Sequence, residues 1–297
     1  MGTPAFAVPS LIALVEAGYT IKAVVTAPNR AKGRGQKVQK SDVCLAAERL
    51  GIPVLQPTNL KAEDFQDQLR SLKPDLAVVV AFRMLPEAVW SMPRIGTLNL
   101  HGSLLPQYRG AAPIHWAVIN GERETGVTTF MLQHAIDTGD LLFQEKEPIG
   151  PNDTTGDVYE RLMHKGAALV VKTVKAIEAG NYALRPQQAT APLHHAPKLH
   201  KETCRIDFNR PAEAVHNFVR GLNPFPSAWT VLQDKNFKIH RVRPVADTQY
   251  SKPLATDNKT YLHLGCSDGY VAVEELQMEG KKKMPIGEFL RGFSFDI

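Results

Sequence analysis

Asn99 and His101, two residues apart, are the side chains of this sequence best placed to do chemistry together. They lie at the end of a short apolar run that begins at Thr97 and breaks at Gly102, a pattern typical of a β-strand. Side chains alternate along a strand, so both point to one face. An amide donor then stands beside an imidazole that titrates near neutral pH. Alone, an Asn-x-His pair is better explained by a histidine hydrogen-bonded into a turn.

Two carboxylates, Asp137 and Asp140, form a second candidate group. The β-branched run at residues 126–132 predicts a buried strand, and residues 136–140 predict a turn that returns both carboxylates to the sheet edge. A carboxylate near an imidazole orients it and favours its charged form. The spacing alone does not choose between the two.

The elements that must position these groups alternate between strand and helix. An α/β fold with a doubly wound, mostly parallel sheet is the prediction, and ligands bind such sheets beyond the carboxyl ends of the strands. Strands are predicted at residues 21–26, 54–55, 76–81 and 97–101, and helices at 9–17, 42–50, 62–72 and 154–178.

The pattern changes after residue 203 to short strands, which predict a small β-barrel. Residues 181–203 hold three prolines and few aliphatic runs, which is typical of a linker. The predicted domains are therefore 1–180 and 204–297, joined by the linker 181–203. Its histidines lack a cysteine or carboxylate at ligand spacing, so no metal site is expected.

Composition places the chain among soluble globular proteins, with 297 residues of which 43% are hydrophobic. No apolar run approaches the ~18 residues of a membrane span, and the start carries no secretion signal. We expect a cytoplasmic monomer with its three cysteines reduced. The net charge of +5 is shared by both halves, so nucleic-acid binding would depend on local clusters.

Two basic clusters are present. Residues 29–40 hold five basic side chains, two glycines and no acid, which predicts a mobile loop rather than a regular element. The loop is either a solvated linker or a contact for an RNA backbone, where phosphate contacts dominate affinity. A second cluster at residues 281–283 is predicted to be a loop tip, with the same two explanations. The candidate RNA contacts are Arg34, Lys37, Lys40, Lys281, Lys282 and Lys283.

The run SLLPQYRGAAPIHWA after His101, followed by IDTGDLL, resembles the folate-dependent formyltransferases, in the branch that acts on methionyl-tRNA. The resemblance extends over nearly the whole chain. It implies transfer of a formyl group from 10-formyltetrahydrofolate to the α-amine of methionyl initiator tRNA, in support of translation initiation and without a metal. It implies catalytic roles for Asn99, His101 and Asp137, with Asp137 orienting the imidazole.

The resemblance also implies the binding sites. The basic loop at residues 29–40 would clasp the tRNA acceptor arm, and the second domain would be an OB-like barrel that faces the tRNA. The segment after the strand at residues 76–81 would line the folate pocket, although a simple strand–helix turn explains it nearly as well. The implied folate-binding residues are Phe82, Met84, Leu85, Ser103, Leu104, Leu105, Pro106 and Asp140.

Other functions fit the same motif. Relatives with this Asn-x-His and Asp act on a purine-precursor amine, on an amino sugar, or on water. A catalytically dead RNA-binding relative is a different class. The basic loop and the RGAAPI run favour the tRNA branch, and the filled catalytic positions favour an enzyme.

The start of the sequence departs from the family pattern, in which an apolar strand precedes the turn at residues 1–4. Either Met1 is a downstream methionine or a central strand is missing. We expect the strand of Asn99 and His101 to neighbour that gap, which would leave backbone groups unpaired. We also expect a chain expressed from Met1 to be poorly soluble or inactive until an apolar strand is added upstream.

Overall fold

A computed structural model describes residues 1–32, 37–189, 191–245 and 252–296. The chain forms two compact units. The first comprises residues 1–110, 125–147 and 159–195, and the second comprises 111–124, 148–158 and 196–297.

The helices and strands are numbered in chain order. The helices are α1 (Val8–Glu16), α2 (Asp42–Arg49), α3 (Glu63–Ser71), α4 (Glu87–Trp90), α5 (Pro113–Ile119), α6 (Thr155–Glu178), α7 (Ala212–Gly221) and α8 (Ile286–Phe289). The strands are β1 (Val24–Val25), β2 (Arg30–Lys32), β3 (Lys37–Gln39), β4 (Val54–Leu55), β5 (Leu76–Val80), β6 (Gly96–His101), β7 (Arg109–Gly110), β8 (Glu124–Met131), β9 (Leu141–Pro148), β10 (His195–Ala196), β11 (Ala228–Leu232), β12 (Lys235–Val245), β13 (Leu254–Thr256), β14 (Leu262–Cys266), β15 (Gly269–Met278) and β16 (Met284–Pro285).

The first unit is built on a mixed sheet. Strands β5, β6, β8 and β9 lie in that order, with β5 parallel to β6 and β6 antiparallel to β8. Strands β1 and β4 form a separate parallel pair. The α/β prediction is confirmed as a mixed sheet with helices, and β6 ends at His101 as expected.

Met1 and Gly2 join the two pieces of this sheet. The Gly2 amide donates to the Val25 carbonyl of β1 at 3.1 Å, and the Val80 amide of β5 donates to the Met1 carbonyl at 2.9 Å. These two residues therefore lie between β1 and β5. The expectation that β6 neighbours this gap was wrong, because β6 is paired on both sides by β5 and β8.

Local signals place several helix starts correctly. The Ser41 side chain accepts a hydrogen bond from the Cys44 amide at 3.0 Å and so caps α2. At the start of α6, the Asp157 amide donates to the Thr154 hydroxyl and the Thr154 amide donates to the Asp157 carboxylate, at 3.2 and 2.8 Å. This reciprocal pair is the predicted capping box.

The basic stretch at residues 29–40 contains regular structure, so the prediction of a loop without elements was wrong. Strands β2 and β3 pair antiparallel, with Arg30 opposite Gln39 and Lys32 opposite Lys37. Pairing satisfies backbone groups whatever the charge of the side chains, which is why composition did not reveal it.

The second unit contains a six-stranded antiparallel sheet. Strands β11, β12, β15, β14 and β13 follow one another, and β16 pairs with β15. Apolar side chains of the sheet and of α7 form its core, including Val219, Phe237, Ile239 and Leu276. In the described parts of both units, no helix is long and apolar enough to cross a membrane.

Candidate active site

His101 is the last residue of β6 and is buried, with 7% of its surface exposed. Its Nε2 lies 2.9 Å from the backbone carbonyl oxygen of Tyr108. A carbonyl only accepts, so this contact requires a hydrogen on Nε2. The loop after β6 therefore fixes both the orientation and the tautomer of the ring.

Asp137 faces the other ring nitrogen of His101. Its Oδ2 lies 3.7 Å from the His101 Nδ1 and accepts a hydrogen bond from the Gly110 amide at 3.0 Å. The Asp137 backbone is left-handed, with φ of 53°, a conformation that aspartate adopts more readily than most residues. Asp137 is also buried. The structure thus brings together the imidazole and one of the two candidate carboxylates.

Asp140 lies elsewhere in the same turn. Its backbone carbonyl accepts from the Met131 amide at 3.1 Å, and its carboxylate accepts from the Gln133 side chain at 3.4 Å. Asp140 is half-buried, and among the described residues it forms no hydrogen bond or ion pair with His101.

Gln187 holds the turn that carries Asp137. Its side-chain amide donates to the carbonyls of Asp137 and Gly139, both at 2.8 Å. Its oxygen accepts two hydrogen bonds from the Arg109 guanidinium, at 3.1 and 2.6 Å. Sequence reasoning missed Gln187, which lies in the predicted linker, because no local pattern signals a partner 50 residues away.

Gly139 permits the close approach of this turn to β8. A Cβ at this position would lie 1.7 Å from the Met131 carbonyl oxygen. Only glycine fits there without moving the backbone. The close packing of Gly139 against β8, beside Asp137, therefore explains the glycine in the sequence Thr138-Gly139-Asp140.

Asn99 provides an uncommitted donor. It lies on β6 opposite Val79 of β5 and Phe130 of β8, and its side chain is half-buried. Within the described ranges, no side chain or backbone group hydrogen-bonds to the side-chain amide of Asn99. The site therefore combines one free amide with an imidazole that is hydrogen-bonded through Nε2 and faces a carboxylate at Nδ1. Such an arrangement is suited to stabilising developing negative charge.

Comparison with known protein families identifies the family to which this chain belongs. The formyl transferase family matches residues 1–174, and the formyl transferase C-terminal domain family matches residues 198–294. The chain belongs to the formyl transferase family. The resemblance drawn from the motif around His101 is confirmed.

Similar proteins within the family are bacterial. The methionyl-tRNA formyltransferase of Bacteroides fragilis is 49% identical, in an alignment that covers 99% of this chain and 94% of that protein. The methionyl-tRNA formyltransferase of Parabacteroides distasonis matches at the same identity and coverage.

Solved structures share the formyl transferase fold. An N-formyltransferase from Helicobacter canadensis, crystallised with folinic acid and dTDP-3-aminofucose, has a TM-score of 0.67 at 20% identity, covering 95% of this chain and 97% of that one. HypX from Aquifex aeolicus with tetrahydrofolic acid has a TM-score of 0.60 at 24% identity, covering 85% of this chain and 45% of that one. These likenesses show the fold alone.

The predicted folate residues differ in how much surface they offer. Met84 is 78% exposed at the end of β5, whereas Leu85 is buried in the apolar cluster that also contains Val79 and Val89. Phe82 packs against the same cluster. Of these three residues, Met84 therefore has the most exposed side chain.

The loop after β6 is rigid and largely inward-facing. The Ser103 hydroxyl donates to the Gln107 carbonyl at 2.6 Å, and both Ser103 and Leu105 are buried. Leu104 and Pro106 are half-buried. The buried side chains support the loop that carries the Tyr108 carbonyl, and Leu104 and Pro106 keep part of their surface exposed.

The predicted RNA contacts separate into paired and unpaired lysines. The Nζ atoms of Lys40 and Lys283 both form ion pairs at 2.7 Å, with Glu48 and Glu275 respectively. Lys281 and Lys282 are exposed and form no ion pair with the described residues. Arg34 lies outside the described residues, and Lys37 is described only as part of β3.

No group of three or more metal-ligating side chains occurs in the described parts of the chain. His194, one of the linker histidines, has a different contact. Its Nδ1 lies 3.1 Å from the Tyr108 hydroxyl, and its carbonyl accepts from the Tyr108 amide at 2.7 Å. These bonds hold the residue whose own carbonyl fixes His101.

Proposed function

We propose that this chain transfers the formyl group of 10-formyltetrahydrofolate to the α-amine of methionyl initiator tRNA, in support of translation initiation. The observation that carries the proposal is the 49% identity, over 99% of the chain, to methionyl-tRNA formyltransferases. The site supports it, because Asn99, His101 and Asp137 meet the chemical needs of the reaction. Relatives that act on an amino sugar share the fold at only 20% identity, so that alternative is not favoured.

The reaction joins an amine to a carbonyl carbon. The neutral α-amine attacks the formyl carbon, the new C–N bond forms, and the carbonyl oxygen becomes an oxyanion. The bond from carbon to N10 of the folate then breaks. The amine loses one proton and N10 gains one, so charge and atoms balance with no metal required.

Asn99 is the donor available from the outset. Its side-chain amide has no partner among the described residues, and it stands at the carboxyl end of a sheet strand, where α/β proteins bind ligands. We assign it to the oxyanion. Loss of one such donor typically lowers the rate by about 10²–10³.

His101 supplies a second donor by exchanging partners. Its Nε2 donates to the neutral Tyr108 carbonyl, and a charged oxyanion accepts more strongly than a neutral carbonyl. The Asp137 carboxylate lies 3.7 Å from Nδ1 and, in this proposal, orients the ring during the exchange. Asp137 is thus a positioning residue in this proposal.

The folate lies, in this proposal, over the exposed Met84 and the backbone of residues 82–85 on one side. On the other side it meets the loop at residues 103–106 and Asp140. The half-buried Asp140 carboxylate is 3.4 Å from a single amide donor, so it retains acceptor capacity for a ligand N–H.

The tRNA is bound, in this proposal, through phosphate contacts of both units. We interpret the antiparallel sheet of the second unit as an OB-like barrel, with the unpaired Lys281 and Lys282 toward the RNA backbone. From the first unit we propose Lys37 of β3 and Arg34, which lies outside the described residues. The boundaries 1–180, 181–203 and 204–297, a monomeric state and a cytoplasmic location remain predictions.

Formyl transfer to charged initiator tRNA tests the proposal directly. We expect the purified protein, carrying the upstream apolar strand of the family pattern, to formylate methionyl initiator tRNA and to leave methionyl elongator tRNA and free methionine largely unmodified. Asn99→Ala and His101→Ala should each lower kcat by about 10² or more, with KM for tRNA nearly unchanged.

The matched control is His195→Ala, an exposed histidine outside the site. It should retain activity. Release of formate without formylated tRNA would instead identify a hydrolase. A kcat within twofold of the parent for His101→Ala would make that histidine structural.

A further inference from the structure

Thr128 of β8 lies directly opposite His101 of β6 in the sheet of the first unit. Side chains of two residues paired across a ladder project from the same face. The Thr128 hydroxyl and the His101 imidazole are therefore on one side of the sheet. Thr128 is fully buried, and a buried hydroxyl requires hydrogen-bond partners. Its partners belong to the loop that follows β6, or support that loop.

The Thr128 hydroxyl holds the start of this loop. It donates to the Ser103 carbonyl at 2.6 Å and accepts from the Leu105 amide at 3.1 Å. A third bond comes from the side-chain amide of Gln144 on β9, at 3.0 Å. A hydroxyl has one hydrogen to donate and two lone pairs to accept with, so these bonds fill its capacity. Loss of the hydroxyl would leave two backbone groups of the loop without this partner.

Gln144 holds the same loop and, in contrast to Thr128, is exposed. Its side-chain amide also donates to the Leu105 carbonyl at 2.9 Å. Leu105 is thus bonded through its amide to Thr128 and through its carbonyl to Gln144. A substitution at Gln144 weakens the hold on the loop without creating a change inside the core.

The far end of the loop presents the carbonyl of Tyr108 to the imidazole. The Ser103 hydroxyl donates to the Gln107 carbonyl at 2.6 Å, and the Gln107 amide donates to the Leu104 carbonyl at 3.1 Å. Tyr108 follows with a left-handed backbone, at φ of 59°. A bulky residue keeps such a conformation only where its surroundings impose it. The position of the Tyr108 carbonyl therefore depends on the bonds that fix the rest of the loop.

Two acceptors compete for the single hydrogen of a neutral His101 ring. The Tyr108 carbonyl oxygen lies 2.9 Å from Nε2, whereas Oδ2 of Asp137 lies 3.7 Å from Nδ1. At these distances the carbonyl forms a hydrogen bond and the carboxylate does not. If the carbonyl moved away, the charged carboxylate would be the stronger acceptor and would draw the hydrogen to Nδ1. Nε2 would then only accept, and could not donate to an oxyanion.

We propose that Thr128 and Gln144 are positioning residues for formyl transfer, which keep the ring hydrogen of His101 on Nε2. The inference rests on the proposed function, because it concerns the donor that His101 offers to the oxyanion. Neither residue contacts the reacting atoms, and both act through the loop that follows β6. Their role differs from that of Gln187, which holds the turn of Asp137.

The hydroxyl is tested by two substitutions in the protein that carries the upstream apolar strand. Thr128→Val keeps nearly the same shape without the hydroxyl, and Thr128→Ser restores the hydroxyl. We expect Thr128→Val to lower kcat by about tenfold or more. The KM values for tRNA and 10-formyltetrahydrofolate should stay within about twofold of the parent. Thr128→Ser should recover most of the lost rate, and an equal loss in both variants would overturn the proposal.

Nitrogen NMR of the His101 ring observes the tautomer without any substrate. In ¹⁵N-histidine-labelled protein, the His101 signals are those that disappear in His101→Ala. The parent should carry the hydrogen on Nε2, and Thr128→Val should carry it wholly or partly on Nδ1. An unchanged tautomer in Thr128→Val would overturn the proposal. A parent that keeps the hydrogen on Nε2 but formylates no tRNA would instead contradict the proposed function.

Gln144→Met is a second variant, at an exposed position where folding is not at risk. It removes both amide donors and keeps a side chain of similar length. We expect kcat to fall by about threefold or more, with a partial shift of the hydrogen to Nδ1. The matched control is Gln68→Met, at an exposed glutamine of α3, which should change neither quantity. Parental kcat and tautomer in Gln144→Met would overturn the role of Gln144.

Discussion

The side-chain amide of Gln187 donates to the backbone carbonyl of Asp137 at 2.8 Å, across 50 residues of sequence. The same amide bonds Gly139. These bonds hold the turn in which Asp137 takes a left-handed backbone conformation and meets His101. The position of the carboxylate thus depends on a residue outside the motif that contains it.

Replacement of Gln187 should reduce activity more than stability. Gln187→Ala removes both donors to the turn, and a small displacement of a catalytic group lowers rates by up to about 10². We expect kcat to fall about tenfold, with a change in Tm of a few degrees. The adjacent exposed Gln188→Ala is the matched control. Equal kcat for the two variants would show that the turn keeps its conformation without the Gln187 hydrogen bonds.

Loss of Asp137 should be strongly non-additive with loss of His101. In the proposed mechanism the carboxylate acts only through the imidazole. Asp137→Asn should lower kcat by about tenfold or more in the parent and by less than twofold in a His101→Ala background. Single-turnover rates of the parent, the two single variants and the double variant measure this coupling. If the rate losses of the two single variants instead multiply in the double variant, Asp137 and His101 act independently.

Gly139→Ala should destabilise the first unit. The added Cβ would lie 1.7 Å from the Met131 carbonyl oxygen, so the turn or β8 must move. We expect a loss of about 3 kcal/mol or more in the free energy of unfolding, measured by urea denaturation. Gly292→Ala is a useful comparison, because nothing lies within 4 Å of its Cβ and its φ, like that of Gly139, lies outside the positive range. A smaller loss of stability in this variant would show how much of the Gly139→Ala effect comes from the steric clash.

The unpaired lysines should matter more for tRNA than the paired one. Lys281→Ala with Lys282→Ala should raise KM for tRNA and flatten its salt dependence, by about one unit of log–log slope for each phosphate that is no longer neutralised. Lys283→Ala should do less, because its ammonium is bonded to Glu275. Arg34→Ala with Lys37→Ala tests the hairpin by the same measurement. Unchanged KM and slope in either pair would remove that cluster from the RNA interface.

Glu147 should make stability depend on pH. Burial raises the pKa of this carboxyl, but hydrogen bonds and charge from Lys165 and Arg161 outweigh that effect and hold the pKa below its ordinary value of 4.5. A lowered pKa gives stability that is present above pH 4.5 and is lost as pH falls through the folded-state value.

Glu147→Gln should therefore cost about 1–2 kcal/mol at pH 7, since both partners are partly exposed. The difference between parent and variant should shrink near pH 4. Thermal unfolding at the two pH values measures it. A difference that does not change with pH would assign the effect to packing.

Local sequence patterns were sufficient for several features. The period of two placed Asn99 and His101 on one strand, and short-range hydrogen bonding predicted the Ser41 cap and the Thr154–Asp157 pair. The motif after His101 was sufficient for the family. Each of these depends on residues within a few positions of one another, so the sequence contains the whole interaction.

Long-range contacts determined the rest. Only the fold shows that Asp137 rather than Asp140 reaches His101, that Tyr108 and Gln187 fix the two partners, and that Leu85 is turned into the core. Such features depend on which distant segments pack together, and burial and hydrogen bonding across tens of residues leave no periodic trace in the chain.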